Sequence, residues 1–218
     1  MRLLSLNVGF PENVRARGRM IHTGIFKRPV SGAVMARERG LDGDGQADLR
    51  YHGGPYRALY AYASQDCEHW ATELNRPLDR GGQFGENLTI DGATSDTIRL
   101  GDVLRVGEAL TQVTQPRPPC FKLGIRMGLP AFPKRFLGSG RVGFYLRVLR
   151  EGAIREGDTV EIVERHPAGL TVAGVSRLRY FDKGDVEAAE RALMIQCMSP
   201  GWLREFRERV EGANGGHR

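Results

Sequence analysis

The sequence is poor in cysteine, poorer in lysine relative to arginine, and without any long apolar run. Its three cysteines, Cys67, Cys120 and Cys197, are odd in number and form no CxxC pair. That excludes a disulfide framework and an iron–sulfur cluster held by four cysteines. His22, His69, His166 and His217 show no partner pattern, and none makes a zinc spacing with a cysteine. No apolar stretch approaches the roughly 20 residues of a membrane span. The N-terminal MRLLSLNVGFPENVR passes from a short apolar run into Gly, Pro and charge, which does not read as a secretory signal. A cytoplasmic location without membrane association is expected, and 218 residues suffice to bury a core without covalent staples.

Only 4 of the 32 basic residues are lysine, and 28 are arginine. GC-rich coding produces such a skew, but arginine is also the residue of planar, bidentate anion recognition. Of the formal +6, the first 167 residues carry +5. Such a charge is compatible with nucleic acid, yet the cations are not interleaved with aromatics as in a single-strand platform, so nucleic acid is not the expected partner.

What is abundant is glycine, 29 residues or roughly twice the usual share, dispersed between short apolar stretches. RLLSLNV, RMIHTGIF, AVMAR and RALYAYA show partial period-two alternation and read as strands. SQDCEHWATEL changes to helical spacing, with Ser64 as N-cap and Cys67, Trp70, Ala71 and Leu74 on one face. LTI, TIRL, DVLRV and ALTQVTQ, broken at glycines, suit a strand meander in a closed or nearly closed barrel. Pro116, Pro118 and Pro119 stop the last strand, CFKLGIRM follows as a short helix, and RVGFYLRVLREG and DTVEIVER restore the strand pattern. Beyond His166-Pro167, LTVAGVSRLRYF, DVEAAERALMI and SPGWLREFRERV read as three helices, with Asp185 and Ser199 as N-caps.

Cys120 is the foremost chemical candidate. It follows PRPP, opens a helix and is flanked by Arg117 and Lys122, all of which favour a thiolate that serves as nucleophile or soft metal ligand. Cys67 and Cys197 fall on apolar faces and read as core. His52 precedes Gly53 and Gly54, which allow close backbone approach to a ligand, so it is a candidate acid or base. The loop GGQFGENLT brings Glu86, Asn87 and Thr89 behind glycines, offering amides and polar side chains without the ending of a P-loop. Lys27 and Arg28, at a strand end before Pro29, could hold a small anion. Asp42-Gly43-Asp44-Gly45 lacks the EF-hand spacing and reads as a turn.

The order of KRPV, GLDGDGQADLRYHGGPYRALYAY, GQFGENLT, IRLGDVL and PRPPC resembles the MOSC domain family over approximately residues 20 to 165, and with the helical tail it is similar to bacterial 6-N-hydroxylaminopurine resistance proteins. The resemblance implies an α+β, mainly β fold. A MOSC-type β-barrel would span 1–167, a three-helix C-terminal domain 168–214, and 215–218 would be a frayed tail. It implies binding of molybdenum cofactor, a pyranopterin dithiolene with a terminal phosphate, and the family's cysteine matches Cys120 as thiolate ligand to molybdenum. The HGG element matches His52, Gly53 and Gly54, and GENLT matches Gly85 to Thr89. Lys27, Arg28 and Arg117 are assigned by inference to the phosphate end or substrate pocket. The implied activity is reduction of N-hydroxylated substrates such as hydroxylaminopurine bases, with His52 as proton donor. Since the chain can build no iron–sulfur cluster, electrons would come from a separate reductase. The alternative is a carrier of cofactor or sulfur without reductive turnover. The helical tail would cover the barrel edge, form a homodimer contact or receive the reductase.

Overall fold

A computed structural model describes residues 1–48, 53–79 and 81–215. The chain begins with β1 (Arg2–Val8), the hairpin β2 (Glu12–Ala16) and β3 (Arg19–Thr23), then β4 (Arg28–Pro29), β5 (Val34–Arg37) and β6 (Gly40–Leu41). After a 3-10 turn at Pro55–Arg57 come β7 (Leu59–Ala63), α1 (Ser64–Glu73), β8 (Leu88–Asp91), β9 (Val103–Val106) and β10 (Ala109–Pro116). Next are α2 (Phe121–Met127), α3 (Phe132–Gly138), β11 (Phe144–Arg150), β12 (Gly152–Ile154) and β13 (Val160–Glu164). Three helices close the chain: α4 (Val172–Tyr180), α5 (Val186–Leu193) and α6 (Pro200–Gly215). The fold is mixed α+β around one large sheet.

Eight strands form that sheet in the order β13-β9-β10-β11-β7-β8-β1-β4. All neighbours are antiparallel except β7 and β8, which run parallel and are joined by α1 and the 74–87 segment. The expected closed barrel is not defined by a complete ring of ladders. Its two flanks approach at an isolated bridge, Arg2 with Thr159, where Leu3 N–H donates to Asp158 O at 2.9 Å and Val160 N–H to Met1 O at 3.0 Å.

β7 is buried along its whole length because both of its faces are covered. Alternation sends Leu59 and Ala61 one way and Tyr60 and Tyr62 the other. Tyr62 lies 4.4 Å from Phe84 and 5.8 Å from Phe136, ring centre to ring centre, and Trp70 lies 4.8 Å from Phe132, so α1 and α3 roof this face with aromatics. The buried hydroxyls are satisfied: Tyr60 donates to Val142 O, Tyr62 to Arg141 O, and Trp70 Nε1 to the Tyr62 hydroxyl.

Several local expectations shift. The N-cap of α1 is Ala63, and Ser64 is its first helical residue. TIRL is a turn rather than a strand, with the Arg99 amide donating to the Asp102 carboxylate at 3.1 Å. Helix α3, hidden among prolines and glycines, has no counterpart in the sequence pattern, nor have β2 and β12. Asp185 does cap α5, accepting from the Ala188 amide, while α4 is capped by Thr171. α6 continues through Gly215, the first residue of the segment expected to fray.

The C-terminal helices share one buried cluster with the sheet, Val175, Ala189, Trp202 and Phe206 packing in the same core as Leu100 and Val113. Gln115 of β10, fully buried, pins the junction. With its amide oriented to suit its neighbours it donates to Ser199 Oγ and accepts from Trp202 Nε1 and Arg57 Nε, at 2.7, 3.2 and 3.1 Å. Trp202→Ala is expected to cost about 3–5 kcal/mol, and tryptophan fluorescence and far-ultraviolet circular dichroism should lose signal in one coincident thermal transition, as a shared core requires.

Candidate active site

β10 ends at Pro116, and the run to Pro119 cannot rejoin a ladder because three of its four residues lack an amide hydrogen. Only Arg117 can donate, and its amide bonds Gly143 O at 3.2 Å. Cys120 follows in an extended conformation, immediately before the seven-residue α2. Cys120, partly exposed, borders a solvent-open cleft.

The cleft gathers Lys27, Gly53, Asn87, Arg117 and Cys120. It does not gather the other expected residues. Arg28 is exposed on β4 and borders a separate depression beside Asp79 and Arg126. Gly54 precedes the 3-10 turn outside the lining, and Glu86 and Thr89 are buried beneath it. His52 lies outside the described residues.

Arg117 is 5 % exposed, and among the described residues no carboxylate pairs with it. Its guanidinium lies 5.2 Å from the Tyr60 ring centre and 5.4 Å from that of Phe136; Nη2 donates to Phe84 O at 3.4 Å, while Nη1 has no hydrogen-bond partner. Burial works against its charge, but the fields of Tyr60, Tyr145 and Cys120 prevail and hold the guanidinium above its ordinary range. Burial raises the Tyr60 and Tyr145 phenols, outweighing the lowering effect of the Arg117 charge, and keeps them neutral. The result is a desolvated, permanently charged donor aimed at the cleft, a costly arrangement unless an anion completes it.

Lys27, 7 % exposed, is ion-paired with Asp44, whose side chain is almost fully buried. Burial pulls the ammonium down, opposed by attraction and hydrogen bonding to Asp44 and by the charge of Glu86. Asp44, expected only to form a turn, therefore sets the position of Lys27. It also accepts from the Gly9 amide and from Asn87 Nδ2, both at 2.9 Å.

Asn87 and Glu86 both take part in hydrogen-bond networks within the protein. Asn87 Oδ1 accepts from the Tyr60 amide at 3.1 Å, and Nδ2 donates to Asn7 O at 3.2 Å as well as to Asp44. Both amide hydrogens are thus used within the protein, so Asn87 braces the walls of the cleft that it also lines. Glu86 accepts from the Gly82 and Phe84 amides and from Thr89 Oγ1 at 2.7, 2.8 and 3.0 Å, tying the loop to itself. Gly82 has φ +73°, and a Cβ there would stand 2.3 Å from Lys27 O, so the loop requires glycine where it carries the Lys27 backbone.

Among the described residues no group of three His, Cys, Asp or Glu could hold a metal ion. Among the described lining residues the thiol is that of Cys120, the cations are Lys27, Arg57, Arg117 and Lys122, and the one carboxylate is Asp44, paired with Lys27. They fit a ligand that brings its own metal ligands and an anionic group, and leave one position for a thiolate.

A sheet-based domain with a single cysteine at the mouth of a cationic cleft is the arrangement, and a model of the MOSC domain matches residues 48–161. The chain belongs to the MOSC domain family. It is 40% identical to the Bacillus subtilis protein YflK over 96% of this chain and 94% of that one, and 34% identical to Escherichia coli YiiM over 86% and 84%. The crystal structure of YiiM from Geobacillus stearothermophilus matches with a TM-score of 0.80 at 32% identity, covering 96% of this chain and 98% of that one. A Gibberella moniliformis protein named Reductase is 35% identical over 75% of this chain, which spans 29% of its length.

The other two thiols are buried, and burial raises both, that of Cys197 to about 11. At pH 8, iodoacetamide should label the native protein once, at Cys120, by peptide mass spectrometry, with Cys67 and Cys197 reacting only after denaturation.

Proposed function

We propose that the protein binds molybdenum cofactor in the cleft and reduces N-hydroxylated substrates of the hydroxylaminopurine type to amines, in the cytoplasm, with electrons from a separate reductase. The observation that carries this reading is a single cleft lined by both the Cys120 thiol and the buried Arg117 guanidinium, whose Nη1 has no hydrogen-bond partner. Cys120 would ligate the metal, with Gly53 and Gly85 allowing close backbone approach. Lys27 and Arg117 would meet the cofactor's anionic end, Asn87 and Asp44 holding Lys27 in place. The name of the Gibberella relative supports a reductive role. We further read the large sheet as a barrel wall whose seam is the Arg2–Thr159 bridge, and 168–214 as a helical domain docked upon it.

The overall change removes one oxygen atom, consumes two electrons and two protons, and releases water. When bound, the cofactor supplies a centre able to exchange two electrons and an oxygen atom. The chain orients the substrate and supplies protons, and His52, beside the cleft residue Gly53, is the proposed donor. Tyr60 and Tyr145 stay neutral, which keeps competing anions away from Arg117.

Cys120→Ala should lower bound molybdenum and pterin several-fold in protein made by a cofactor-producing host, and abolish 6-hydroxylaminopurine reduction with reduced viologen while leaving circular dichroism unchanged. Undiminished turnover would overturn the assignment. Cofactor loss in the variant combined with an inert wild type would favour the carrier reading. With reduced pyridine nucleotide as sole donor, the isolated protein should show little or no turnover; robust turnover would mean that no separate reductase is needed.

A further inference from the structure

Cys120 borders two depressions. Besides the cleft, it lines an adjoining one that also includes Phe121, Lys122 and Tyr145, and that is completed by Arg179 and Tyr180 from the last turn of α4. If the cleft holds the cofactor, the substrate meets Cys120 from this second side, and the C-terminal helices form part of its wall.

The wall has two chemical characters. Tyr145, Tyr180 and the half-exposed Phe121 present aromatic surface to a planar ring. Among the described lining residues, Arg57, Lys122 and Arg179 are cationic, against a single carboxylate, Asp48. Arg179 is held rigidly. Its guanidinium lies 4.1 Å from the Trp202 ring centre and 5.3 Å from that of Tyr180, and it is paired with Glu205 of α6 at 2.9 Å. Its backbone carbonyl accepts from Arg209 at 2.8 Å. A guanidinium fixed on three sides loses little entropy when it binds an anion.

We propose that this second depression is the substrate subsite and that it selects planar N-hydroxylated bases carrying a phosphate, that is nucleotides, over free bases, with Arg179 of the helical tail as the specificity-determining residue. The inference rests on the reductase reading for the direction of approach to Cys120. The ring lies against the aromatic wall with its exocyclic N–OH toward Cys120, and the phosphate reaches Arg179 and Lys122. The tail is thereby part of the site.

Calorimetry on the full chain with adenosine 5′-monophosphate and adenine as probes tests this independently of turnover. The nucleotide should bind at least about tenfold more tightly than the base. Arg179→Gln should remove about tenfold of nucleotide affinity without affecting adenine, and Arg179→Lys should restore most of it. Equal affinities for the two probes, no nucleotide binding at millimolar concentration, or a Gln variant that weakens both probes alike would each overturn the proposal; the last would reveal a purely structural Arg179. Arg179-dependent nucleotide binding in a cofactor-loaded protein that reduces no hydroxylaminopurine would leave the subsite standing and remove the reductase reading.

Discussion

The amide of Asn87 is the constraint on which the site depends. Its three hydrogen bonds reach the Asn7 carbonyl on β1, the Tyr60 amide on β7 and the Asp44 carboxylate in the turn after β6. Two strands and a loop far apart in sequence are thus held at fixed spacing by one side chain. Asp44 passes the constraint to Lys27, and Tyr60 passes it to Arg117 through the stacking of guanidinium on ring. Losing one partner of such a buried network leaves the others unsatisfied, at roughly 1–3 kcal/mol for each orphaned group. The site is therefore preorganised by groups whose hydrogen bonds run mainly within the protein.

Arg117 stands at the opposite extreme, with capacity to spare. A buried guanidinium with an orphaned N–H is unfavourable in isolation, and the Tyr60 and Phe136 rings beside it supply only partial compensation through their π faces. The protein sustains this because the aromatic roof over β7, built from α1 and α3, is worth far more in buried area than one cation costs. Stability invested in Trp70, Phe84, Phe132 and Phe136 is what permits strain at the cleft, a division of labour common at functional sites.

Much of the sheet is legible in the sequence because alternation reports on one-sided burial. β1, β7, β10 and β11 all announce themselves in this way, and β7 does so even though both faces are covered, since its two faces differ in residue size. Helix α3 is hidden because Phe132 and Phe136 are its only long-spaced apolar pair amid Pro133 and Gly138, where local propensity argues for a loop. TIRL misleads for the converse reason: its β-branched residues sit in a turn, where the Thr97 and Ile98 amides bond Thr94 O and the Arg99 amide bonds the Asp102 carboxylate. In the site, Cys120, Lys27 and Arg117 are visible from charge beside proline. The internal hydrogen bonds of Asn87 and Glu86 are not, since a polar side chain's partners are chosen by the fold, and Asp44 looks like any aspartate between two glycines.

The position of β1 has a consequence for how the chain is made. Its partner nearby in sequence is the two-residue β4 at Arg28–Pro29, whereas its longer ladder is with β8 at Leu88–Asp91 and its most distant contact is the segment around Thr159 at the far flank of the sheet. The contact of Arg2 with Thr159 therefore waits for about 150 further residues to be made, after β4 and β8 have become available. At roughly 5–20 residues per second that interval amounts to several seconds or more. Leu3 and Leu6, both fully buried at the end, are then exposed to any passing strand or chaperone. The seam between β1 and the Thr159 segment is thus among the last contacts available, and its timing is set by topology more than by the strength of any contact.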